Sequence, residues 1–321
     1  MTITAKIIED SIGPGTRRLT TFQLMYPRFI HAEVMTHRQF SRNASSSRAI
    51  PVEKQIAMIK ADTAMPVHWG MNQSGMQAEQ ETDALLDFMD HRYDFPPADM
   101  RTPQEAWIEA RDRAIDVAER FVAAGYHKQV VNRILEPFSH ISVIVTSSQY
   151  DNFFALRSHK DAQPEIKVLS DLMLEAYNAS TPRVLGLGEW HLPYITSTER
   201  MMAAGAEVVH DDGTTSPAEN ELIKISAARC ARVSYLTHDG NNPSLVNDMK
   251  LYDRLVGSVP LHASPVEHQA TPDTKIYNTA GLPQWENPGL HGNLSGGWIQ
   301  YRKTLPDECC DNWEDPQDPL K

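Results

Sequence analysis

The stretches ITAKIIEDS (residues 3–11) and RRLTTFQLMYP (residues 17–27) both alternate apolar and polar side chains, and Gly13-Pro14-Gly15 stands between them. A period of two is the signature of a strand with one covered face, and glycine flanking proline supplies the turn that pairs two such strands. A chain that opens this way builds an antiparallel sheet, and its exposed apolar face must be covered by another layer.

The segments able to cover it are helical. Thr102-Pro103-Gln104-Glu105 is a capping box with proline in the first turn. Trp107, Ala110, Ala114, Ala118, Phe121 and Val122 follow as an apolar stripe, and Gly125 ends the helix. KQVVNRILEP reads as a second helix stopped by Pro137, SSQYDNFFALR as a third, and Asp161 to Ala179 as a fourth with Pro164 in its first turn. Residues 180–215 are loop-rich. Ser216-Pro217-Ala218-Glu219 repeats the capping-box pattern before ELIKISAARCARVSY, and Pro243 opens a helix with Leu245, Met249, Tyr252 and Val256 on one face. Residues 53–101 are Met-rich, polar and irregular, an insertion of helices and loops. The end, LPDECCDNWEDPQDPLK, is acidic and broken by proline, so 305–321 reads as a mobile tail. No repeat or sharp linker divides the remainder. The expected fold is α+β: an antiparallel twisted sheet flanked by helices, one large domain over residues 1–304.

Composition excludes several functions. No apolar run approaches the ~18 residues of a membrane span, and MTITAKIIEDS is too polar for a signal peptide. Three cysteines without framework spacing fit a reducing cytoplasm, bacterial or that of a virus-infected host. Thirty Lys and Arg against 42 Asp and Glu leave a net charge of −12, which argues against a nucleic-acid polymer as partner, so any anion site must be local. Gly186-Leu187-Gly188 lacks the third glycine of a dinucleotide fingerprint, and no Walker A run, GxSxG, HExxH or paired CxxC occurs. No metal site is expected.

Against that acidic background stands HRQFSRNASSSR, residues 37–48, with His37, Arg38, Arg42 and Arg48 and no acid. Arg38 and Arg48 can each present a planar fork to a phosphate, and Ser46 and Ser47 add hydroxyl donors. The run could hold two anionic groups, such as a flavin pyrophosphate and a nucleotide phosphate, or it could be a solvated basic loop or a partner-binding patch.

Other segments bear on the choice. His37-Arg38, seven residues, Ser46 and then Arg48 resembles the signature of the flavin-dependent thymidylate synthases. FQLMYPRFIHAEVMTHR is similar to the family's lead-in, QVVNRILEPF to its helix with a nucleotide-contacting arginine, and NFFALRSHKDAQPEIKVL to its NFLxLR…AQxEI stretch. AARCARVSY and PLHASPVEH, the latter like the family's HxSPFEH, complete the set. In the family these last two precede the signature; here they follow it by about 200 residues. The chain therefore resembles a circularly permuted member, which is tolerable where the original termini lie close together on the surface.

The resemblance implies that His37, Arg38, Asn43, Asn152, Ser234, Ser264 and Glu267 contact FAD, with His262 on the flavin and folate side. It implies that Ser46, Ser47 and Arg48 hold the nucleotide phosphate, helped by Arg133. Arg157 would face the pyrimidine carbonyl, so that Arg157 and Ser46 are the candidate catalytic residues. The reaction implied transfers a methylene from methylenetetrahydrofolate to C5 of dUMP and reduces it with NADPH through FAD, in a homotetramer with shared sites. The sequence departs from the family at Thr36 (usually arginine), Ala44 (glutamate), Ala49 (tyrosine) and Glu33 (glutamine). These departures leave open a dCMP methylase or hydroxymethylase, and a catalytically inactive flavin- or nucleotide-binding homologue. Residue types alone also allow Ser264-Pro265-Val266-Glu267 to be a capping box, Arg133 and Arg157 to be surface arginines, and Cys230 a buried structural thiol. GNLSGGWIQYRK (residues 292–303) has no counterpart in the family; Trp298, Tyr301 and Arg302 there either supply missing contacts or pack.

Overall fold

A computed structural model describes residues 2–89, 99–209, 214–233, 244–257, 261–306 and 308–309. The opening hairpin is present: Thr4–Ile12 pairs antiparallel with Leu19–Pro27, and Gly15 takes a positive φ of 69° in the turn. These strands belong to a five-stranded sheet. Its order is Ser41–Ala44, His140–Ser147, Leu19–Pro27, Thr4–Ile12, Arg183–Val184. Four strands are antiparallel to their neighbours, and the short Arg183–Val184 edge runs parallel to Thr4–Ile12, so the sheet is mixed rather than wholly antiparallel.

The interior strand His140–Ser147, second in that order, is the element that periodicity misses. Val143 and Val145 enter the cluster formed with Phe22, Leu24, Tyr26 and the Pro164–Ala179 helix, while Ile144 packs with Cys230 and Val233. Adjacent residues of a strand point to opposite faces, so helices cover the sheet on both sides. A strand buried on both faces has no reason to alternate. On one side, Ile166, Leu169 and Met173 pack on the strands. On the other, Ala218–Ala231 packs against the sheet and against Leu245–Val256 through Ala227, Ala228, Ala231, Leu251 and Leu255. A further cluster joins Val52–Ala61, Pro103–Ala123 and Lys128–Leu135 at the end of the sheet where the signature lies.

The capping box at Thr102 forms with both reciprocal bonds, and Gly125 follows the helix at φ 83°. Its buried stripe is centred on Ile115 and Ala118, whereas Ala110 and Val122 are exposed. The box at Ser216 does not form: the helix there begins after Pro217 with no side-chain cap, because Thr215–Pro217 is a strand paired with Glu207–Val209. Within the loop-rich 180–215 stretch, Thr196 and Glu199 form a capping box for a helix over Ser197–Ala203. Ser244 caps the Leu245–Val256 helix by accepting from Asn247; Pro243, assigned that role from sequence, lies outside the described residues. So do 90–98 of the Met-rich insertion and most of the acidic tail. No helix among the described residues is long and apolar enough to cross a membrane.

Candidate active site

The signature lies along the edge strand Ser41–Ala44 and the turns on either side of it. Its backbone is fixed from two directions. Asn132, 1% exposed on the Lys128–Leu135 helix, donates through Nδ2 to the carbonyls of Ser47 (2.7 Å) and Ile50 (2.9 Å). Asn43 donates to the carbonyl of Cys230 at 2.7 Å and accepts from the Ser264 hydroxyl at 3.3 Å. Two segments more than 180 positions away therefore close onto the edge strand. Ser264–Glu267 is a 3₁₀ turn with no side-chain cap. Its serine goes to Asn43 and its glutamate to Arg302, so the capping-box reading of these residues fails.

Between these elements opens a cleft of about 390 Å³, lined by Asn43, Ser46 and Arg48 of the signature, Ala49 after it, Gln129, and His262, Ser264 and Pro265 of the C-terminal part. Arg48 is exposed, and its guanidinium and the Ser46 hydroxyl make no hydrogen bond among the described residues. Ser47 differs: its buried hydroxyl donates to Glu136 Oε1 at 2.7 Å. Arg133 also turns to Glu136, at 3.2 Å, and is not among the residues lining the cleft. Asn152 is exposed on the Asp151–Arg157 helix and lines none of the cavities described here. Ser234 lies outside the described residues.

His37 and Arg157, assigned to different ligands from sequence, touch each other. Arg157 Nε donates to His37 Nε2 at 3.0 Å. A guanidinium can only donate, so Nε2 is the acceptor and the imidazole proton sits on Nδ1. Burial, then the charges of Arg157 and Arg42, lower the His37 pKa to about 4, so the ring is neutral at pH 7. Phe40 and Phe153 pack against it at 5.8 and 4.9 Å between centroids.

A second cavity of about 360 Å³ lies nearby, with Arg38, Arg42, Glu267, Asn293, Gln300, Arg302, Lys303 and Glu308 in its wall. Arg38 is exposed and makes no ion pair or hydrogen bond among the described residues. The two arginines that suggested two anion sites thus open into different cavities, Arg38 with Glu267 and Arg48 with His262 and Ser264.

Behind the site runs a buried chain of hydrogen bonds. Ser11 meets His191 Nδ1 at 2.9 Å, His191 Nε2 meets Thr21 at 2.7 Å, Thr21 meets Thr146 at 2.7 Å, and Thr146 meets His268 Nδ1 at 2.8 Å. His268 Nε2 is buried without a partner among the described residues. Each hydroxyl has one proton, so the chain runs in a single direction. If His268 Nδ1 donates, every buried N–H and O–H is satisfied and Ser11 is free to donate to Glu9 at 3.4 Å. The opposite direction would strand an N–H at His268, the costlier defect.

Asn132, Gln129 and the histidine chain were not singled out from sequence. Asn132 sits inside a quoted segment, QVVNRILEPF, but nothing local marks an amide that reaches back across 82 positions.

Residues 18–183 match the family described as thymidylate synthase complementing protein, Thy1. The chain belongs to this family. The matched span includes the signature, the Arg133 helix and the Arg157 helix. AARCARVSY and HASPVEH lie beyond it, and the fold brings Cys230 of the first and Ser264 of the second onto Asn43 of the signature. No protein of curated function matches the chain. Among solved structures, the UMP/dUMP methylase PolB of Streptomyces cacaoi bound to 5-Br dUMP is 16% identical, with a TM-score of 0.41 over 55% of this chain and 90% of that one. The same methylase bound to 5-Br UMP is 17% identical, with a TM-score of 0.38 over 55% and 88%.

Proposed function

We propose that this member of the Thy1 family is a flavin-dependent thymidylate synthase, methylating C5 of dUMP with methylenetetrahydrofolate, NADPH and FAD to give dTMP. One observation carries the reading beyond family membership: Asn43, Ser46 and Arg48 share a cleft with His262 and Ser264, residues that resemblance alone had linked across about 200 positions. In this reading Arg48 and Ser46 take the nucleotide phosphate, since both present unused donors to the cleft. Ser47 holds the turn through Glu136 instead of contacting the ligand.

Arg157 would place positive charge at the pyrimidine carbonyl, favouring the enolate-like form in which C5 is nucleophilic. His37 orients that guanidinium, and its neutral ring removes no charge from it. The donor set of the second cavity, four cations against two carboxylates in a chain of net charge −12, fits the pyrophosphate of FAD. FAD, when bound, supplies hydride transfer and carriage of the one-carbon unit, and no cysteine nucleophile is needed. Cys230 is buried with its pKa pushed up by desolvation, which suits a structural thiol. Arg133 and Asn152, exposed and away from both cavities, fit a homotetramer in which a neighbouring copy completes the site. A cytoplasmic enzyme fits the same reading.

The test is product formation. The purified protein with FAD, NADPH, methylenetetrahydrofolate and dUMP should yield dTMP by mass spectrometry, with NADPH oxidised in step. Product from dCMP and none from dUMP would reassign the substrate. No product from either, with flavin and nucleotide both bound, would make it an inactive homologue.

A further inference from the structure

The segment 292–303 has no counterpart in the family resemblance, yet it is built against the signature. Gln300, 2% exposed, donates through Nε2 to Ser41 Oγ (3.1 Å), Asn293 Oδ1 (2.9 Å) and the carbonyl of Glu267 (2.9 Å). Gly292, at φ 56°, passes so close to this amide that a Cβ would collide with its oxygen. Trp298, fully buried, donates to the carbonyl of Arg17 at 2.8 Å. These contacts fix the backbone from which Arg302 and Lys303 reach the wall of the cavity that Arg38 enters.

Arg302 is held there by two carboxylates and by the main-chain carbonyl of Glu308, which accepts from its Nη2 at 3.1 Å. Its Nη1 lies 2.5 Å from Glu267 Oε1, and its Nε lies 2.9 Å from Glu308 Oε2. Lys303 pairs with the other oxygen of Glu308. Glu308 therefore bridges two cations, as a phosphate oxygen pair would, beside an arginine with no partner among the described residues.

We propose that Arg302 and Lys303 complete, with Arg38, the subsite for the pyrophosphate of the flavin dinucleotide, and that Glu308 occupies it until that anion displaces it. The inference rests on the flavin reading above and assigns residues that the family pattern does not. Arg302 replaces a cation that Thr36 no longer supplies at the flavin or nucleotide end of the signature. A pyrophosphate bears more charge than one carboxylate and offers a guanidinium fork paired oxygens, so exchange favours the ligand. Glu267 keeps Arg302 in place during the exchange, since it approaches a different nitrogen of the fork.

The test titrates apo-protein with FAD and, separately, with riboflavin, which has no phosphate, and follows flavin fluorescence. Arg302→Gln should weaken FAD roughly tenfold or more and leave riboflavin unchanged. Glu308→Gln should tighten FAD several-fold, because the competitor loses its charge. A glutamate that merely strapped the chain end would give the opposite sign, or no change, when neutralised. Thermal unfolding of both variants shows whether the fold survives, and Glu308→Gln decides the matter if Arg302→Gln does not fold. Glu308→Gln binding FAD no more tightly than the parent overturns the proposal, as does an equal loss of FAD and riboflavin in Arg302→Gln. If the parent protein binds neither flavin, the flavin reading itself is wrong, a result distinct from variants that match a flavin-binding parent.

Discussion

At the scale of single residues, the signature divides between two cavities that its sequence runs together. Arg48 opens into the cleft with His262 and Ser264, and Arg38 into the cavity with Glu267. Losing one charge-assisted contact to a phosphate costs about 1.5–3 kcal/mol. Arg48→Ala should therefore weaken dUMP about tenfold to a hundredfold in a nucleotide titration, with bound FAD unchanged; loss of flavin with nucleotide binding intact would reverse the division. Arg157→Ala should behave differently, because in the proposed reaction its charge matters most as C5 becomes nucleophilic. Steady-state kinetics should show kcat falling more than dUMP affinity; a change confined to KM would reduce Arg157 to a binding contact. Candidate ligand contacts stand out in the sequence because donors are concentrated in one short run, residues 37–48. Their tethers do not: Asn132 to Ser47, Asn43 to Cys230 and Arg302 to Glu267 join positions with no local pattern between them.

At the scale of elements, the sequence was most informative where one face is buried and least where both are. The alternating hairpin and the Thr102 cap were plain, whereas His140–Ser147, covered by helices on both faces, read as featureless. The Thr196–Glu199 box carried a usable signal of the Ser/Thr-x-x-Glu kind; the same pattern at Ser216 was decoration on a strand. The histidine chain ties these elements together and makes them sensitive to acid. Desolvation lowers the His268 pKa to about 3 and moves His191 the same way. Unfolded histidine takes up a proton near pH 6.5, which the folded ring refuses until about pH 3. Between those values the unfolded state binds more protons, so stability falls as pH drops through this window. Urea unfolding at pH 7.5 and pH 5 should show that loss, and His268→Gln should be less stable at pH 7.5 but lose less on going to pH 5. An unchanged pH dependence in that variant would exclude His268 as a source of it.

At the scale of the whole molecule, segments far apart along the chain meet around one cleft. Residues beyond 214 contribute helices packed on one face of the sheet, and His262 and Ser264 in the cleft. They also supply the Cys230, His268 and Gln300 contacts to the edge strand Ser41–Ala44 and its neighbour His140–Ser147, and the Arg229 ion pair to Glu199. What joins this part to residues 1–209 is mostly packing and hydrogen bonding, with one covalent link between two short paired strands. The chain cut between Val209 and Thr214 and expressed as two halves should therefore reassemble, since a permuted connection demands only that the contacts be made. The co-expressed halves should purify together, bind dUMP, and melt at a temperature that rises with protein concentration, as expected when folding is coupled to association. Neither half should bind the nucleotide alone, because Arg48 and Ser46 lie on one and His262 and Ser264 on the other. If residues 1–209 bound dUMP as tightly as the intact chain, the C-terminal wall of the cleft would be irrelevant to the nucleotide and the shared site proposed here would be wrong.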